Sequence, residues 1–313
     1  MTHYTNHSVS IQDTTDVSAV IVGSLTSASA PIEQEVQSNA TAGRFYPEQI
    51  SVVSQKPKIG FSSYDLPKVI DALGVTGRLL TEAVGTKPGI ALYQAKYNDS
   101  VISAGATHRR LQFPKSFAMI RRITCSHRQD AVIEAEALAI FDATNNPVVI
   151  GVSQALPTLP GSPGRWTLDA VVIGGFTIDC NIQVDIDFCV TAPSFGCDSD
   201  IWDTHLNVDE IKPMISITSL DPESFAAAKV PLIGKAGAHA DCKITFRKRL
   251  ESQAGYVASA TAEHISITAD GVMLVEDAHN ATGNQRAQTM LKMHCRFDDT
   301  NAPLLFDTTY ALA

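Results

Sequence analysis

The sequence predicts a mainly β protein built from two tandem, duplicated β-sandwich or barrel domains, each with one short packed α-helix. Two observations lead to this fold class. Short segments that are β-branched or alternate apolar with polar residues, bounded by Gly, Pro, Asn or Asp, recur along the whole chain and are typical of strands. Blocks of the first half also recur in the second half at a fixed spacing, which indicates a duplicated unit.

The duplication is clearest in two blocks that share one displacement. KPKIGFSSYD from Lys56 recurs as KPMISITSLD from Lys212, which lies 156 positions later. FDATNNPVVIGVSQAL from Phe141 lies over FDDTNAPLLFDTTYAL from Phe297 at the same displacement. A shared register in separated blocks is hard to obtain by chance, so we interpret the chain as a fusion of two copies of one domain.

A third block agrees with this register, and a fourth departs from it. SAGATH from Ser103 fits SATAEH from Ser259, again 156 positions later. AVIVGSLT from Ala19, in contrast, fits AVVIGGFT from Ala170 at a displacement of 151. The change of register predicts about five extra residues in the second copy, within residues 189–202.

The repeat sets the domain boundaries. We expect the first domain at residues 1–156 and the second at residues 157–313. The stretch LPTLPGSPG, residues 156–164, is rich in Pro and Gly and is predicted to link them. A chain of 313 residues has the length of two domains that each bury a core.

The composition excludes two protein classes. Hydrophobic residues make up 44% of the chain and charged residues 18%, which argues against intrinsic disorder. No apolar run has the length of a transmembrane helix, and the opening stretch MTHYTNHSVS lacks the basic and apolar regions of a signal peptide. We therefore expect a protein that is made in a cytosol, has no membrane part and keeps its six cysteines reduced.

The charge is divided unequally between the two copies. The first has 13 Lys and Arg against 13 Asp and Glu, and the second has 11 against 20, so the net charge of −9 lies in the second copy. Copies that differ in this way are typical of units that alternate in an assembly. Neutral drift of surface charge is an equal alternative.

One helix is predicted at the same place in each copy. In the first, Asp65 is expected to cap a helix that ends at Gly74. In the second, Asp221 is expected to cap and Pro222 to occupy the first turn.

Two turn motifs are predicted between strands. TADG from Thr268 contains Asp-Gly, which favours a tight hairpin turn. The repeated D-x-T-N-x-P motif, at Asp142 and Asp298, predicts a turn whose Asp and Asn side chains bond back to the backbone before the last strand.

One loop has residue types that bind cations. CDSDIWDTH contains Cys197, Asp198, Asp200, Asp203 and His205, and such oxygen ligands can hold a divalent ion. The loop lacks the Gly and distal Glu of an EF-hand, and an acidic solvated loop is the favoured interpretation. No zinc, nucleophile-elbow, phosphate-loop or dinucleotide motif occurs. We therefore predict no catalytic, cofactor-binding or metal-binding residue and no enzymatic activity.

Histidines and basic clusters have structural interpretations. His108 and His264 occupy equivalent positions of the repeat, which favours a role in the fold. The clusters HRR from His108, RR from Arg121 and FRKR from Phe246 could bind single-stranded nucleic acid. They are short and lie in an acidic protein, so solvated strand faces and salt bridges between subunits are favoured.

The order of these elements resembles a known family. A strand ending in Gly-Ser or Gly-Gly, a long loop, the KPxI strand, a helix with an Asp cap and a final DxTNxP strand pair are together similar to the tail-tube domain of long-tailed bacteriophages. The fusion of two such domains resembles the T5-like major tail proteins, which are trimeric and pseudo-hexameric. The resemblance covers nearly the whole of both copies.

The resemblance implies a function and partners. We expect a virion structural protein, assembled in the host bacterial cytoplasm, that forms homotrimeric rings stacked into a hollow phage tail tube. Genomic DNA would pass through the lumen without specific binding, and other phage tail proteins would bind the tube ends. The long loops at residues 27–47 and 185–210 are the expected ring-to-ring elements. Two alternatives remain, a trimeric baseplate hub or other single-ring tail component and a β-rich hydrolase.

Overall fold

The structure is a computed structural model, and it confirms that the protein is mainly β. It describes residues 3–12, 19–40, 42, 45–47, 49–81, 89–99, 101–159, 161, 164–197, 200–220, 238–250, 255–281, 287–297 and 302–312. These residues form 24 strands and one α-helix, and all the paired strands are antiparallel. Within this described part, no helix is long and apolar enough to cross a membrane.

The elements follow one another in two series. The first half contains β1 (His3–Ile11), β2 (Val20–Val22), β3 (Leu25–Ser29), β4 (Ile32–Asn39), β5 (Gln49–Ser63), α1 (Leu66–Leu73), β6 (Arg78–Thr81), β7 (Ile90–Asn98), β8 (Val101–Ile102), β9 (His108–Phe113), β10 (Lys115–Ser126), β11 (Val132–Ala139) and β12 (Val149–Gln154). The second half contains β13 (Arg165–Ile173), β14 (Phe176–Ile178), β15 (Asn181–Asp187), β16 (Val190–Thr191), β17 (Ser194–Phe195), β18 (His205–Leu206), β19 (Glu210–Ile211), β20 (Met214–Ser219), β21 (Ala238–Arg249), β22 (His264–Asn280), β23 (Gln288–Cys295) and β24 (Leu304–Tyr310).

The strands form two large sheets and two small ones. A six-stranded sheet has the order β12-β9-β7-β1-β2, with β8 on β7. A 14-stranded sheet has the order β14-β13-β21-β22-β23-β20-β15-β10-β11-β5-β3, with β24, β4 and β6 attached to β22, β5 and β10. The pairs β16-β19 and β17-β18 stand apart. One continuous cluster of buried apolar residues contains members from both large sheets and from both halves, so the two halves share a core.

Helix α1 forms where the sequence predicts it, but its first turn is stabilised differently. Gly74 follows the helix with a φ of 66°, and its N–H donates to Ile70 O at 2.8 Å, as expected of a C-terminal glycine. The Asp65 carboxylate makes no cap hydrogen bond and instead accepts from Lys68 Nζ at 2.7 Å. Charge attraction across one turn outcompetes capping here. The second expected helix, from Asp221, lies outside the described residues.

The two predicted turn motifs have different outcomes. The Asp142 turn is confirmed for the aspartate, since its Oδ1 accepts from Thr144 N at 2.8 Å and from Asn145 N at 2.6 Å. The Asn145 side chain does not bond the backbone as predicted but donates through Nδ2 to Asp142 Oδ2 at 2.9 Å. The equivalent motif at Asp298 lies outside the described residues.

The predicted hairpin turn at TADG is wrong, because β22 runs straight through Asp270 and Gly271. A side chain on Gly271 would collide with His294 O in the neighbouring strand β23. The glycine is therefore explained by a close approach of two strands and not by a turn.

Strand pairing recurs between the halves with the displacement seen in the sequence. Leu25 pairs with Ser63 in β3 and β5, and Asn181 pairs with Ser219 in β15 and β20. Each partner of the second pair lies 156 positions after its counterpart. Both pairings shift register directly after this point, so even the irregularity recurs.

A buried hydrogen bond recurs with the same displacement. Ser63 Oγ donates to Gly23 O at 2.8 Å, and Ser219 Oγ donates to Asp179 O at 2.7 Å. Both serines are fully buried. Each bond joins the last residue of β5 or β20 to the bend before β3 or β15.

The register of 151 near the start of each half is not reproduced. Val9 pairs with Val22 in β1 and β2, whereas Val171 pairs with Ile178 in β13 and β14. Strand β2 therefore occupies the place of β14 and not that of β13. The two apolar stretches resemble each other in sequence because both are buried strands ending in glycine.

No extra residues are needed within residues 189–202 either. Gln34 pairs with Gln55 in the first half and Val190 with Ile211 in the second, still 156 positions apart. The halves differ in length instead between their first two strands. Residues 12–19 connect β1 to β2, whereas only residues 174–175 connect β13 to β14.

Candidate assembly interface

The two halves of the chain are joined edge to edge. Arg122–Ser126 in β10 pairs antiparallel with Gln183–Asp187 in β15. Two further backbone bonds extend the ladder, from His127 N to Ile182 O at 2.6 Å and from Phe188 N to Arg121 O at 3.0 Å. The joint therefore combines six strands of the first half and eight of the second into one continuous sheet.

Charged side chains support this joint. Arg122 forms a bidentate ion pair with Asp185 across it. Arg121 Nη1 donates to Val190 O at 2.8 Å, and its Nε donates to Glu136 Oε2 at 2.9 Å. The RR cluster of the sequence is thus explained by contacts between the halves.

A second contact between the halves lies at the turn after β10. Asp130 forms ion pairs with Arg165 at 3.5 Å and with Arg249 at 3.2 Å. Ala131 N donates to Trp166 O at 2.7 Å. The FRKR cluster also contributes to the joint, since Arg249 belongs to it.

A third contact comes from a hairpin of the second half, which we call the second arm (residues 188–213). Its tip lies on the first half, where Gln55 N donates to Ile201 O at 2.8 Å and Phe141 N donates to Asp203 O at 2.8 Å. Trp202 packs on the ring of Phe141 with centroids 5.3 Å apart, and its Nε1 donates to Gln55 Oε1 at 3.1 Å. This aromatic pair holds the arm in place.

The residues of the candidate cation loop lie at this tip. Asp203 is buried and forms an ion pair with Lys56 Nζ at 3.2 Å, and it also accepts from Ser194. His205 is exposed and contacts its neighbour through Nδ1. Asp198 lies outside the described residues, and among those described no group of three or more His, Cys, Asp or Glu is placed to hold a metal ion. The described geometry makes Asp203 part of the contact between halves.

The first half carries an equivalent hairpin, which we call the first arm (residues 32–57). It consists of β4 and the beginning of β5. Seven large apolar side chains are exposed on its described residues, against two on those of the second arm. The most exposed are Phe45 at 99% and Tyr46 at 83%. Such a concentration of exposed apolar surface is typical of a binding site.

Among the described residues, one sheet edge has no strand beside it at β3. This strand ends the 14-stranded sheet, and β5 is its partner within the described part of the chain. It is the counterpart of β15, whose outer edge is occupied by β10. In β3 the Asn6 side chain donates to Ala28 O at 2.8 Å, so a single amide covers the edge at that point.

A second edge without a described partner strand lies at the end of β22. Strand β21 pairs with β22 only as far as Met273, although β22 continues to Asn280. Strands β10 and β22 have a register shift at the same place, after Ile120 in β10 and after Val275 in β22. Asp277 is therefore the residue of β22 that corresponds to Arg122 of β10. No described strand occupies this side of β22 beyond Met273. The corresponding side of β10 is the one that pairs with β15.

The equivalent histidines have the same role in both halves. His108 Nδ1 accepts from Lys96 N at 3.0 Å, and His264 Nδ1 accepts from Lys248 N at 3.1 Å. Both rings are buried. They satisfy backbone amides of β7 and β21, as expected of residues that determine the fold.

The cysteines are all free thiols. Burial raises the pKa of Cys125 to about 11 and that of Cys242 to about 12. A thiol with such a pKa is almost fully protonated near neutral pH and is a weak nucleophile.

No protein-family model matches this chain, and no curated protein matches its sequence.

Sequence reasoning missed the contact between the second arm and the first half. Trp202 and Phe141 are far apart in the sequence, and the segments that contain them, the loop CDSDIWDTH and the repeated block from Phe141, give no indication that the two rings meet. One signal was present: both are aromatic residues in polar loop segments, where an exposed aromatic side chain needs an explanation.

Proposed function

We propose that this chain is a virion structural protein of a phage tail. It consists of two fused, duplicated tube-like β-sandwich domains, and three chains close a ring of six domains. The rings stack into a hollow tube through which the genome passes. Other tail proteins bind the ends of this tube.

The observation that carries the proposal is the edge-to-edge joint between β10 and β15, with matching edges at β3 and β22 that no described strand occupies. One rotation and translation relates the first half to the second half within a chain. The same operation, applied again from the second half, brings β3 of a second chain beside β22 of the first. Such a contact is heterologous, and it closes into a ring if the rotation per step divides a full turn. Closure removes the open edges, which would otherwise favour aggregation.

The repeated pairing supports the duplication. Sheet registers, register shifts and buried hydrogen bonds recur about 156 residues apart, so the two halves can occupy equivalent positions in one ring. The number of three chains comes from the resemblance to tail-tube proteins, in which rings have six domains.

The outer face of the joined sheet suits a lumen wall. Along β11, Ala135 and Ala137 are buried, whereas the alternating glutamates are half-exposed. On this face Glu136 pairs with Arg121, and at the equivalent place of the second half Lys292 pairs with Glu276 at 3.4 Å. In the first half the acid lies on β11 and the base on β10, whereas in the second half the base lies on β23 and the acid on β22. Paired charges present no continuous basic surface to the phosphate backbone, so DNA can pass without binding.

End-on electron microscopy of the purified protein, with no rotational symmetry imposed, tests this function. Three-fold rings of six lobes, stacked into hollow tubes, are the expected result. Isolated rings that do not stack at any protein concentration would replace the tube with a single-ring tail component. Monomers without a central hole across salt and concentration would reject both.

A further inference from the structure

We infer that the first arm binds the second half of another copy of this chain, in the same way that the second arm binds the first half within one chain. The inference rests on the self-assembly part of the proposed function. It assigns the arm to the neighbour within a ring, whereas the sequence predicts a ring-to-ring role for this segment.

The two arms are the same hairpin. Asn39 pairs with Gln49 near the tip of the first arm, and Phe195 pairs with His205 near the tip of the second. Each residue lies 156 positions from its counterpart. At the base, the pairs of both arms are offset from these tip pairs by the same one-residue shift of register.

The tips carry aromatic or apolar residues at matching positions. Tyr46 stands where the second arm has Trp202, and Phe45 stands where it has Ile201. Trp202 is half-buried against the first half, whereas Tyr46 is 83% exposed. The first arm therefore has the side chains of a docked tip without a surface beneath them.

The surface for this tip is present in the second half. The residue equivalent to Phe141 is Phe297, which is 61% exposed. The residue equivalent to Gln55 is Ile211, in β19 at the base of the second arm. Phe141 is half-buried under Trp202, and Phe297 has no such cover among the described residues.

Superposing the known contact on these positions specifies the new one. Ile211 N would donate to Phe45 O, and Phe297 N would donate to Pro47 O. The ring of Tyr46 would lie on that of Phe297. Proline is compatible with its position because only its carbonyl is required, as with Asp203 in the second arm.

The chemistry of the contact changes in a consistent way. Within the chain, the indole N–H of Trp202 bonds the amide of Gln55. At the equivalent positions Tyr46 replaces Trp202 and Ile211 replaces Gln55. Tyr46 would therefore meet an apolar side chain in place of an amide. The in-chain ion pair has no counterpart, because Pro47 replaces Asp203 and Lys212 already pairs with Glu210 at 2.6 Å.

The same step satisfies the open sheet edges. In the chain, the half that provides β15 is also the half whose arm reaches over the other. In the next step, the chain that provides β3 to a neighbour's β22 would lay its first arm over that neighbour. The strand contact and the arm contact thus require one geometry and one partner, a second copy of this chain.

An engineered disulfide tests the arm contact. Two residues joined by a backbone hydrogen bond lie close enough for a disulfide, which needs Cα atoms about 4.4–6.8 Å apart. We expect the double variant Pro47→Cys with Phe297→Cys to form disulfide-linked chains on oxidation, seen on a non-reducing denaturing gel. The linked product should stop at the number of chains in one ring, which is three on the proposed function.

Four controls make the result decisive. Each single variant should give no linked product above that of the native cysteines. The in-chain pair Phe141→Cys with Asp203→Cys should form an intramolecular disulfide and reports that the geometry permits the bond. The second pair Phe45→Cys with Ile211→Cys tests the same contact if the first variant fails to fold. The pair Pro47→Cys with Phe176→Cys places cysteines at two exposed sites that the inference does not bring together, so it should give no linked product.

The outcomes separate the inference from the proposed function. Rings visible by microscopy without a cross-link in either double variant would overturn the arm contact and leave the ring intact. Cross-linked strings longer than one ring would show that the arm reaches another ring, which also overturns the inference. The absence of both rings and cross-links would reject the proposed function together with it.

Discussion

The first and second arms are one hairpin in two different environments. The second arm lies against the other half of its own chain, where Trp202 covers Phe141 and Asp203 binds Lys56. The first arm has the same strand register but holds Tyr46 and Phe45 in solvent. The difference teaches that the backbone of the arm does not depend on what its tip touches. An exposed copy of a contact that is filled elsewhere in the same molecule then indicates a partner.

The largest expected effect comes from breaking the open edge next to the first arm. The carbonyl of Ile182 and the N–H of Phe188 face β10. Every second residue of a strand directs its N–H and C=O to the same edge, so those of Val184 face β10 too. Its counterpart Ala28 therefore points its N–H away from β5, and Ala28→Pro removes that donor without touching the pairing to β5. We expect a folded chain that no longer forms rings, checked by circular dichroism and analytical ultracentrifugation.

The matched control for this edge is Ala28→Val, which keeps the N–H and should still assemble. A proline variant that forms rings at the same concentration as the native chain would show that β3 does not pair with another copy.

The next prediction compares the two aromatic tips directly. Trp202→Ala removes packing within the chain, so the free energy of unfolding of the unassembled chain should fall by roughly 1–3 kcal/mol. Tyr46→Ala removes an exposed side chain and should change that free energy by less than about 0.5 kcal/mol. The same tyrosine variant should require at least about tenfold more protein to form rings. Urea unfolding and sedimentation measure the two quantities separately.

Equal effects in both assays would contradict the comparison. If Tyr46→Ala destabilised the unassembled chain as much as Trp202→Ala does, the first arm would already be packed on its own chain. If it left assembly unchanged, the exposed tip would have no role in the ring.

Much of this fold follows from the sequence, for local reasons. The KPxI strands, helix α1 up to Gly74 and the Asp142 turn depend on residues close in the chain, so pattern and turn chemistry predict them. The continuation of β22 through Gly271 cannot be predicted in this way, because the glycine is required by the close approach of the His294 backbone, which is distant in the sequence. The arm contact escapes prediction for the same reason, because Trp202 meets Phe141 only through the joint between the halves.

A further pair of variants tests whether the two halves are equivalent in energy as well as in geometry. Ser63→Ala and Ser219→Ala each remove a buried hydroxyl whose carbonyl partner loses its donor. Each should lower the free energy of unfolding by about 1–3 kcal/mol. We expect the two values to agree within about 0.5 kcal/mol. Clearly unequal values, measured by urea unfolding of both variants, would mean that the repeated hydrogen bond contributes differently to the stability of the two halves.

The smallest effect concerns the turn that supports the surface beneath the second arm. Partial burial alone would raise the pKa of Asp142, but hydrogen bonds from Asn145 and Thr144 outweigh it, and the pKa lies below its ordinary value. A depressed pKa contributes stability that is present above the unfolded value of about 3.9 and is lost as the pH falls through the folded value. Asp142→Asn keeps an acceptor oxygen but does not titrate. Its unfolding free energy should therefore depend less steeply on pH between about 5 and 2 than that of the native chain. Identical slopes, measured by urea unfolding across that range, would mean that the charge of Asp142 does not stabilise the turn beside Phe141.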